Sequence, residues 1–516
     1  LILGAGISGI HAALELADAG HPVYLVEKQA NIGGHMAQLD KTFPSLECSA
    51  CILAPKMFAV SQHPNITLLT LSTVESVLGH VGNFSVRIRI SPRFIDKERC
   101  TGCMICEEKC PKKVIDHGHN AGIGMRKAIY RPFAQAVPAL PVLDRKDCIY
   151  FLSGKCRLCE KNCPAEAVDF NQKDEQLDIS VGHIIMATGY KLFNPSQVSQ
   201  YGYGRFANVF SSLEIERMFN SAGPTDGKMV LRDGKTIPKK VAIIHCVGSR
   251  DKNFNEYCSK VCCMYSLKFA LQIMEQTGAE VYNFYIDIRT PGKGYEEFYH
   301  RLQEKGANFI RGRVAMVMDA AFSSEEESHL IIQVEDTLIS RKRRIPVDMV
   351  ILSPAMEPQA DASEVAHRFG LSCDDNGFFS ERHVKLAPVS TMADGILIAG
   401  ACQGPKDINE SIAQAGAASA RVLAAISRGV IETEPIKVEI DGNHCCGCRI
   451  CNDLCPYGAI SFLEEKKISR VDPAVCKGCG ICIAACPSQI IKGSHFSTEQ
   501  IMAEINGLLE VTGHGS

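Results

Sequence analysis

A recurring cysteine spacing restricts this chain more than any other feature. Three runs follow Cys-x2-Cys-x2-Cys-x3-Cys-Pro. They are Cys100, Cys103, Cys106 and Cys110 before Pro111; Cys445, Cys448, Cys451 and Cys455 before Pro456; and Cys476, Cys479, Cys482 and Cys486 before Pro487. A fourth run, Cys148, Cys156, Cys159 and Cys163 before Pro164, has its first gap stretched by IYFLSGK. The short gaps set three sulfurs around one cubane, and the fourth cysteine reaches the cluster of the partner run. The expected [4Fe–4S] ligand sets are therefore Cys100, Cys103, Cys106 with Cys163, and Cys148, Cys156, Cys159 with Cys110. In the C-terminal pair they are Cys445, Cys448, Cys451 with Cys486, and Cys476, Cys479, Cys482 with Cys455. Zinc is the competing occupant of four thiolates, but the repeated three-plus-one run ending in Cys-Pro is that of a bacterial ferredoxin.

The rest of the composition narrows the class. A 516-residue chain with 25 Cys, clustered in this way, is not a small disulfide-stapled secreted scaffold. Net charge is −3, which gives no support to a nucleic-acid binder. The sequence shows neither a signal peptide nor an apolar run of about 18 residues that could span a bilayer. Two to four domains in a reducing cytoplasm are expected.

Residues 1–27 read as strand, Gly4-x-Gly6-x-x-Gly9, helix, strand and Glu27. This is the dinucleotide fingerprint in its proper context: Gly4 for the tight turn, Gly6 for close approach to the pyrophosphate, Gly9 for helix–strand packing, Glu27 for the ribose. The sequence begins inside the first strand, so a further N-terminal segment is expected. Downstream come Gly33-Gly34, an apolar strand ending Ala187-Thr188-Gly189, and a strand, Gly-rich turn and Ala-rich helix over 395–420. This order resembles flavoproteins with two dinucleotide-binding domains, of the thioredoxin reductase and glutathione reductase type. The resemblance implies FAD as the dinucleotide. Candidate contacts are Gly4, Gly6, Gly9, Glu27, Lys28, Gly34, Thr188, Gly189, Gly400, Lys406 and Asn409. Ala401 stands where that family usually carries an acid.

In such enzymes a second Gly fingerprint binds NADPH. Here the corresponding strand, KVAIIHCVGSR (240–250), has one Gly in its turn and carries Cys246; Cys258, Cys262 and Cys263 follow at the start of a helix. The expectation is a kept fold without a nicotinamide site, and a fifth [4Fe–4S] cluster on Cys246, Cys258, Cys262 and Cys263. A redox dithiol or buried unpaired thiols are the alternative. Cys48-x-x-Cys51 admits three readings: a flavin-linked dithiol, ligands of a cluster shared with a missing N-terminal part, or packing at a helix start. Cys373 and Cys446 read as inert, and Cys402 as packing.

The architecture so read is α/β, a thioredoxin-reductase-like flavoprotein with one inserted and one C-terminal α+β ferredoxin module. The FAD-binding domain takes 1–90, 171–238 and 351–432. The inserted ferredoxin takes 91–170, the second Rossmann-like domain 239–350, and the C-terminal ferredoxin 433–496 after a linker near 430–438. A helical tail covers 497–516, with 497–511 as an amphipathic docking helix.

GAGISGIHAALELADAG (4–20), GGHMAQLDKTFP (33–44), CSACILAPKM (48–57), GMRKAIYRPFAQAVP (124–138), HCVGSRD (245–251), YCSKVCCMYS (257–266) and GPKDINESIAQA (404–415) resemble the A subunit of heterodisulfide reductase and its bacterial homologues, over essentially the whole chain. The resemblance implies an oxidoreductase component whose FAD splits electron pairs between ferredoxin and a disulfide or other high-potential acceptor. It implies partner subunits of the B and C type, an input hydrogenase, formate dehydrogenase or similar module, ferredoxin, and a homodimer within a larger complex. No nucleic acid and no membrane span are implied. Lys406, Cys48 and Cys51 are the catalytic candidates, Lys406 as a contact of the reduced flavin or as a solvated or phosphate-contacting lysine. The rival readings are a non-bifurcating electron conduit of a related reductase complex and a flavin–dithiol disulfide oxidoreductase.

Overall fold

A computed structural model describes residues 1–430, 436–495 and 497–512. Two parallel five-stranded sheets organise the first 430 residues. The first runs, in spatial order, Ile396–Ile398, Ile184–Met186, Ile2–Leu3, Val23–Val26 and Ile66–Leu69. Its strands are short continuous apolar runs because helices and loops cover both faces. Ile2, Leu25, Ile184 and Ile398 are fully buried. The Ala-rich helices Ile7–Asp18 and Ile408–Arg428 pack on one another over one face, where small side chains allow close approach.

Beside this sheet lies an antiparallel trio, Ser72–His80, Asn83–Ile90 and Glu175–Val181. Ile90 stands opposite Glu175 in the pair. Residues 91–174, which carry two of the cysteine runs, thus leave and return through adjoining rungs of one strand pair. The insertion is not loosely hung. The guanidinium of Arg93, 3% exposed, donates to the Ala30 carbonyl and, at 2.9 Å, to Thr70 Oγ1. Ile32 N donates to Val137 O at 2.9 Å. Gln38 Nε2 donates to the carbonyls of Gly118 and His119 at 3.0 and 3.2 Å.

The second sheet orders Val209–Ser211, Met349–Pro354, Lys240–Val247, Glu280–Tyr285 and Asn308–Arg311, and its core is as apolar as the first. Helix Cys262–Thr277 packs on it. The chain passes between the two domains twice, and the two passages pair as antiparallel strands Tyr190–Leu192 and Met356–Pro358. The expected boundaries at 238 and 351 are thereby corrected: Val209–Ser211 and Met349–Pro354 are strands of the second sheet, and Phe210, Ile215, Phe219 and Met229 pack in its core.

The C-terminal module repeats the ferredoxin plan: strand pairs Val438–Ile440 with Ile491–Gly493 and Ile460–Leu463 with Ile468–Val471, and short helices Ile450–Leu454 and Ile481–Ala485. The expected linker near 430–438 falls partly outside the described residues. Asp394 joins this module to the first domain, paired with Arg382 at 2.5 Å and with Lys477 of the third cysteine run. A helix spans Thr498–Thr512, with Ile501, Met502 and Ile505 exposed; residues 513–516 lie outside the described set. Among the described residues no helix is long and apolar enough to cross a membrane.

Candidate functional site

Three segments far apart in sequence meet at the C-terminal ends of the first sheet's strands, the usual place for a ligand in a parallel sheet. Gly4 has φ +99°, and a Cβ there would lie 2.4 Å from the Ala187 carbonyl oxygen. A Cβ on Gly9 would lie 1.9 Å from Gly4 O, so helix and turn can touch only without a side chain. Gly6 is the opposite case: nothing stands within 4 Å of its Cβ position. The floor over Gly6 is open at the N-terminus of helix Ile7–Asp18, where backbone N–H groups favour an anion. Gly34 lies over this turn, its Cβ position 3.0 Å from Gly6 Cα, and Gly400 borders it, its Cβ position 2.2 Å from Ser8 Oγ. These residues fit a dinucleotide.

Glu27 ends the second strand and is 9% exposed. Its carboxylate accepts from Ala5 N and Gln29 N, both at 2.8 Å, and burial pushes its pKa up. Lys28 points elsewhere, pairing with Asp361 at 3.2 Å. Thr188 and Gly189 follow the strand Ile184–Met186, and Gly189 adopts φ +72°.

At the far side, Asp407 caps helix Ile408–Arg428 with Glu410 in a reciprocal capping box. Lys406 is half-buried and its amine donates to Gln403 Oε1 and, at 3.5 Å, Gly404 O; burial lowers its pKa. Gln414 Oε1 accepts from Gly400 N at 2.7 Å, and its amide donates to Gln403 Oε1 at 3.2 Å. One hydrogen-bonded chain therefore runs from Lys406 to the Gly400 turn. Asn409, in the first turn of the helix, lies against the Tyr295 hydroxyl. Tyr295 donates to Asp407 Oδ2 at 2.6 Å, and Glu410 pairs with Lys260 of the second domain.

The cysteine quartets of the inserted module surround two cavities. One is lined by Cys100, Cys103, Cys106 and Cys163, the other by Cys110, Cys148, Cys156 and Cys159. Both are otherwise largely apolar, and burial pushes Cys106 and Cys159 up to about 12. The stretched Cys148–Cys156 gap has a simple local cause. Residues Ile149–Ser153 wind one extra helical turn, closed by Gly154 at φ +73°, so both ends of the gap still face the cavity. Tyr150 and Phe151 of that turn pack on Phe170. In the C-terminal module Cys479, Cys455 and Cys476 are the cysteines that press on Cys482 electrostatically. Cys445, Cys448, Cys451 and Cys486 come from the same two short helices and their leading loops. Among the described residues no three His, Cys, Asp or Glu side chains converge on a single-ion site.

The fifth group stands at the end of strand Lys240–Val247. Cys246, Cys262 and Cys263 are buried and share one small core with Tyr265 and Ile286. Cys246 has φ +57°, a costly conformation for a residue with a Cβ, within a bulge where the strand's register shifts between Ile244 and Val247 and side chains are re-aimed. The Cys262 thiol bonds to both neighbours, which holds Cys246 and Cys263 below the ordinary thiol range and pushes Cys262 above it. Cys258 is half-buried and accepts from Lys260 N at 3.3 Å. Four thiols thus occupy the strand end where a nucleotide turn would lie, and their donor chemistry suits a cubane.

Cys48 and Cys51 form a disulfide, exposed at the start of helix Ser49–Gln62. Cys402 is buried with its thiol 3.2 Å from Ala399 O and 3.3 Å from Met186 O. Cys373 is half-buried, and Cys446 is exposed with its thiol 3.4 Å from Ser488 Oγ.

Sequence reading missed residues that join the modules. Lys268, 1% exposed, pairs with Glu216, 4% exposed, and donates to Lys41 O at 2.8 Å. Glu216 also accepts from Asp40 N at 3.0 Å, so the pair pins the segment leading to Cys48. His35, after Gly34, stacks on Tyr190 at 4.5 Å and bonds to its carbonyl at 3.1 Å. No local motif marks these contacts. A charged Lys in an otherwise apolar helix face is the single clue, at Lys268.

Residues 2–66 match the model of an NAD(P)-binding Rossmann-like domain, 93–116 a 4Fe-4S binding domain, and 444–490 a 4Fe-4S dicluster domain. The A subunit of the H(2):CoB-CoM heterodisulfide,ferredoxin reductase of Methanothermobacter marburgensis is 48% identical over 512 residues, 99% of this chain and 76% of that one. The iron-sulfur A subunit of the CoB--CoM heterodisulfide reductase of Methanocaldococcus jannaschii is 46% identical, over 99% of this chain and 77% of its own. The A subunit of the Ferredoxin:CoB-CoM heterodisulfide reductase of Methanosarcina mazei is 42% identical, over 98% and 62%. Among solved structures, thioredoxin reductase of T. acidophilum overlays with a TM-score of 0.45 at 12% identity, over 83% of this chain and 97% of that one.

Proposed function

The chain belongs to the family of heterodisulfide reductase A subunits, and from that premise we propose that it is the FAD- and iron–sulfur-bearing electron-transfer component of a heterodisulfide-reductase-type complex. Its cofactors are FAD and five [4Fe–4S] clusters, and it splits electron pairs between ferredoxin and a disulfide acceptor on partner subunits. The observation that carries this reading is the position of the Cys246 group. It stands at the end of a parallel strand, where such a sheet takes a nucleotide, and is tied, through Lys260 and Glu410, to the helix that Asp407 caps. A reductase fed by NADPH needs a nucleotide turn there; one fed through clusters needs thiolates.

FAD supplies the exchange between two-electron and one-electron traffic, and clusters carry electrons singly. The protein's part is placement. Open backbone at Gly6 would receive the phosphates and Glu27 would meet the ribose, and Gly34, Thr188, Gly189 and Gly400 would hold the rest of the dinucleotide. Lys406 and Asn409 stand where a positive helix end and an amine favour negative charge on the bound ring. The half-buried position of Lys406, within one hydrogen-bonded chain to Gly400, supports a role at the cofactor.

We assign as partners subunits of the B and C type, an electron-input hydrogenase or formate dehydrogenase module and ferredoxin, with two copies of this chain per complex and a cytoplasmic location. The test is a reconstituted anaerobic complex in which ferredoxin reduced is counted against disulfide reduced. Fixed stoichiometry is expected. Disulfide reduction that proceeds at full rate without ferredoxin leaves only a conduit.

A second reading has its own observation, the exposed Cys48–Cys51 disulfide, whose intervening Ser49 donates to Met36 O of the turn after Gly34. In it, FAD exchanges electrons with this pair, and Cys51→Ser abolishes disulfide reduction while every cluster is retained. Loss of iron in the same variant assigns the pair to a cluster instead.

A further inference from the structure

Five buried side-chain nitrogen or oxygen atoms lack a partner among the described residues, and three of them flank the Cys246 group: His245 Nδ1, Arg250 Nη1 and Asn283 Nδ2. A buried polar atom without a partner is costly; the Asn283 amide can satisfy its own by bonding His245, which leaves His245 Nδ1 and Arg250 Nη1 as two donors that point to an acceptor at this place. His245 is 5% exposed and lies against the Cys263 thiol; its Nε2 faces Asn283 Oδ1 at 3.2 Å. Asn283 is fully buried, and its amide can be turned end for end, which donates to Nε2 and sets the imidazole proton on Nδ1. Arg250 is held by Asp287 at 2.8 Å through Nη2, which leaves Nη1 buried beside Cys246 and Cys258. Asp287 is shared with Arg311 at 3.5 Å, so the three groups sum to one positive charge. The cavities of the inserted module have no such lining: apart from Lys112 and Thr101, cysteine and apolar side chains surround them.

We propose that Arg250 Nη1 and His245 Nδ1 donate to sulfurs of the cluster held by Cys246, Cys258, Cys262 and Cys263, and that they set its reduction potential above those of the inserted module's clusters. Reduction adds one electron to the cluster, and donors and positive charge stabilise the more negative state. This site is therefore the acceptor of the higher-potential electron from the flavin side. The inference rests on the fifth-cluster reading above.

The test is an anaerobic redox titration of the holoprotein, followed by electron paramagnetic resonance, with iron counted on the same samples. Arg250→Met is expected to keep about twenty iron per chain. It should lower one midpoint by at least tenfold in the reduction equilibrium, about 59 mV for one electron, and leave the other four midpoints in place. His245→Gln shifts the same signal in the same direction, and Arg250→Lys restores part of the loss. About sixteen iron per wild-type chain removes the fifth cluster itself, and the proposal with it. Full iron with unmoved midpoints in both Arg250→Met and His245→Gln overturns the tuning alone. Where Arg250→Met sheds the cluster, Arg250→Lys and His245→Gln decide the question on the same criterion.

Discussion

Lys268→Met removes the cation from a pair that water does not reach. Lys268 is 1% exposed and Glu216 4%, so neither solvent nor salt weakens their attraction appreciably. The substitution preserves most of the side-chain volume and leaves the Glu216 carboxylate and the Lys41 carbonyl without their buried donor. Breaking one side of such a pair costs about 3–5 kcal/mol, and even 3 kcal/mol is more than a hundredfold in the folded population. Burial already raises the pKa of Glu216, and Lys268 opposes that rise. Without Lys268 the folded-state value climbs further. An acid whose folded pKa lies above its unfolded value destabilises progressively as pH rises from the ordinary carboxylate range through the raised value. The penalty of Lys268→Met is thus expected to be small in acid and largest at neutral pH. Urea denaturation of the holoprotein at several pH values measures it, and hydrogen exchange should show faster opening of residues 38–48, which this pair pins. Adding Glu216→Gln, which still accepts from Asp40 N, should recover more than half of the loss. A cost below about 1 kcal/mol at neutral pH, the ceiling typical of exposed pairs, or a double variant as unstable as the single, would refute the reasoning.

Cys163→Ala and Cys110→Ala should each remove about four iron, but from opposite clusters: the first from the cavity of Cys100, the second from that of Cys148, as resolved by the surviving paramagnetic signals. Gly9→Ala forces a methyl to within 1.9 Å of Gly4 O, and the protein should purify with little or no flavin, read by its visible absorption. Lys406→Met should lower the midpoint of the bound flavin and uncouple ferredoxin reduction from disulfide reduction; unchanged potentials would return Lys406 to a phosphate or solvent contact.

What was legible in the sequence was covalent or steric in origin. A three-plus-one spacing groups Cys163 with Cys100 and Cys110 with Cys148, and each of those quartets lines one cavity. Gly4, Gly6 and Gly9 are set by a turn in which a Cβ either clashes or would block the floor. The stretched gap at Cys148 looked irregular because a spacing says nothing of helical rise; a single turn ending at Gly154 absorbs it. The contacts among modules stayed hidden for a different reason. Lys268 meets Lys41 and Glu216, and Arg93 meets Ala30 and Thr70, only after two sheets have formed. Their partners are selected by packing, which no local pattern encodes. The disulfide of Cys48 with Cys51 lies between these cases: the spacing allows it, but equally allows a dithiol or two metal ligands.

The manner in which residues 91–174 enter the flavin domain has a consequence for how such proteins diversify. Because Ile90 and Glu175 are opposite one another, the whole module with its two cysteine quartets is topologically the loop of a β-hairpin. A loop can be lengthened, traded or deleted without rethreading the sheet that bears it, and loop closure grows only slowly more costly with length. A module gained this way arrives with a fixed anchor on the sheet that bears it. Side chains such as Arg93 and Gln38 can then convert a tolerated insertion into a rigid wire. The same scaffold could thereby acquire or lose this module in a single genetic step, leaving the dinucleotide fingerprint intact.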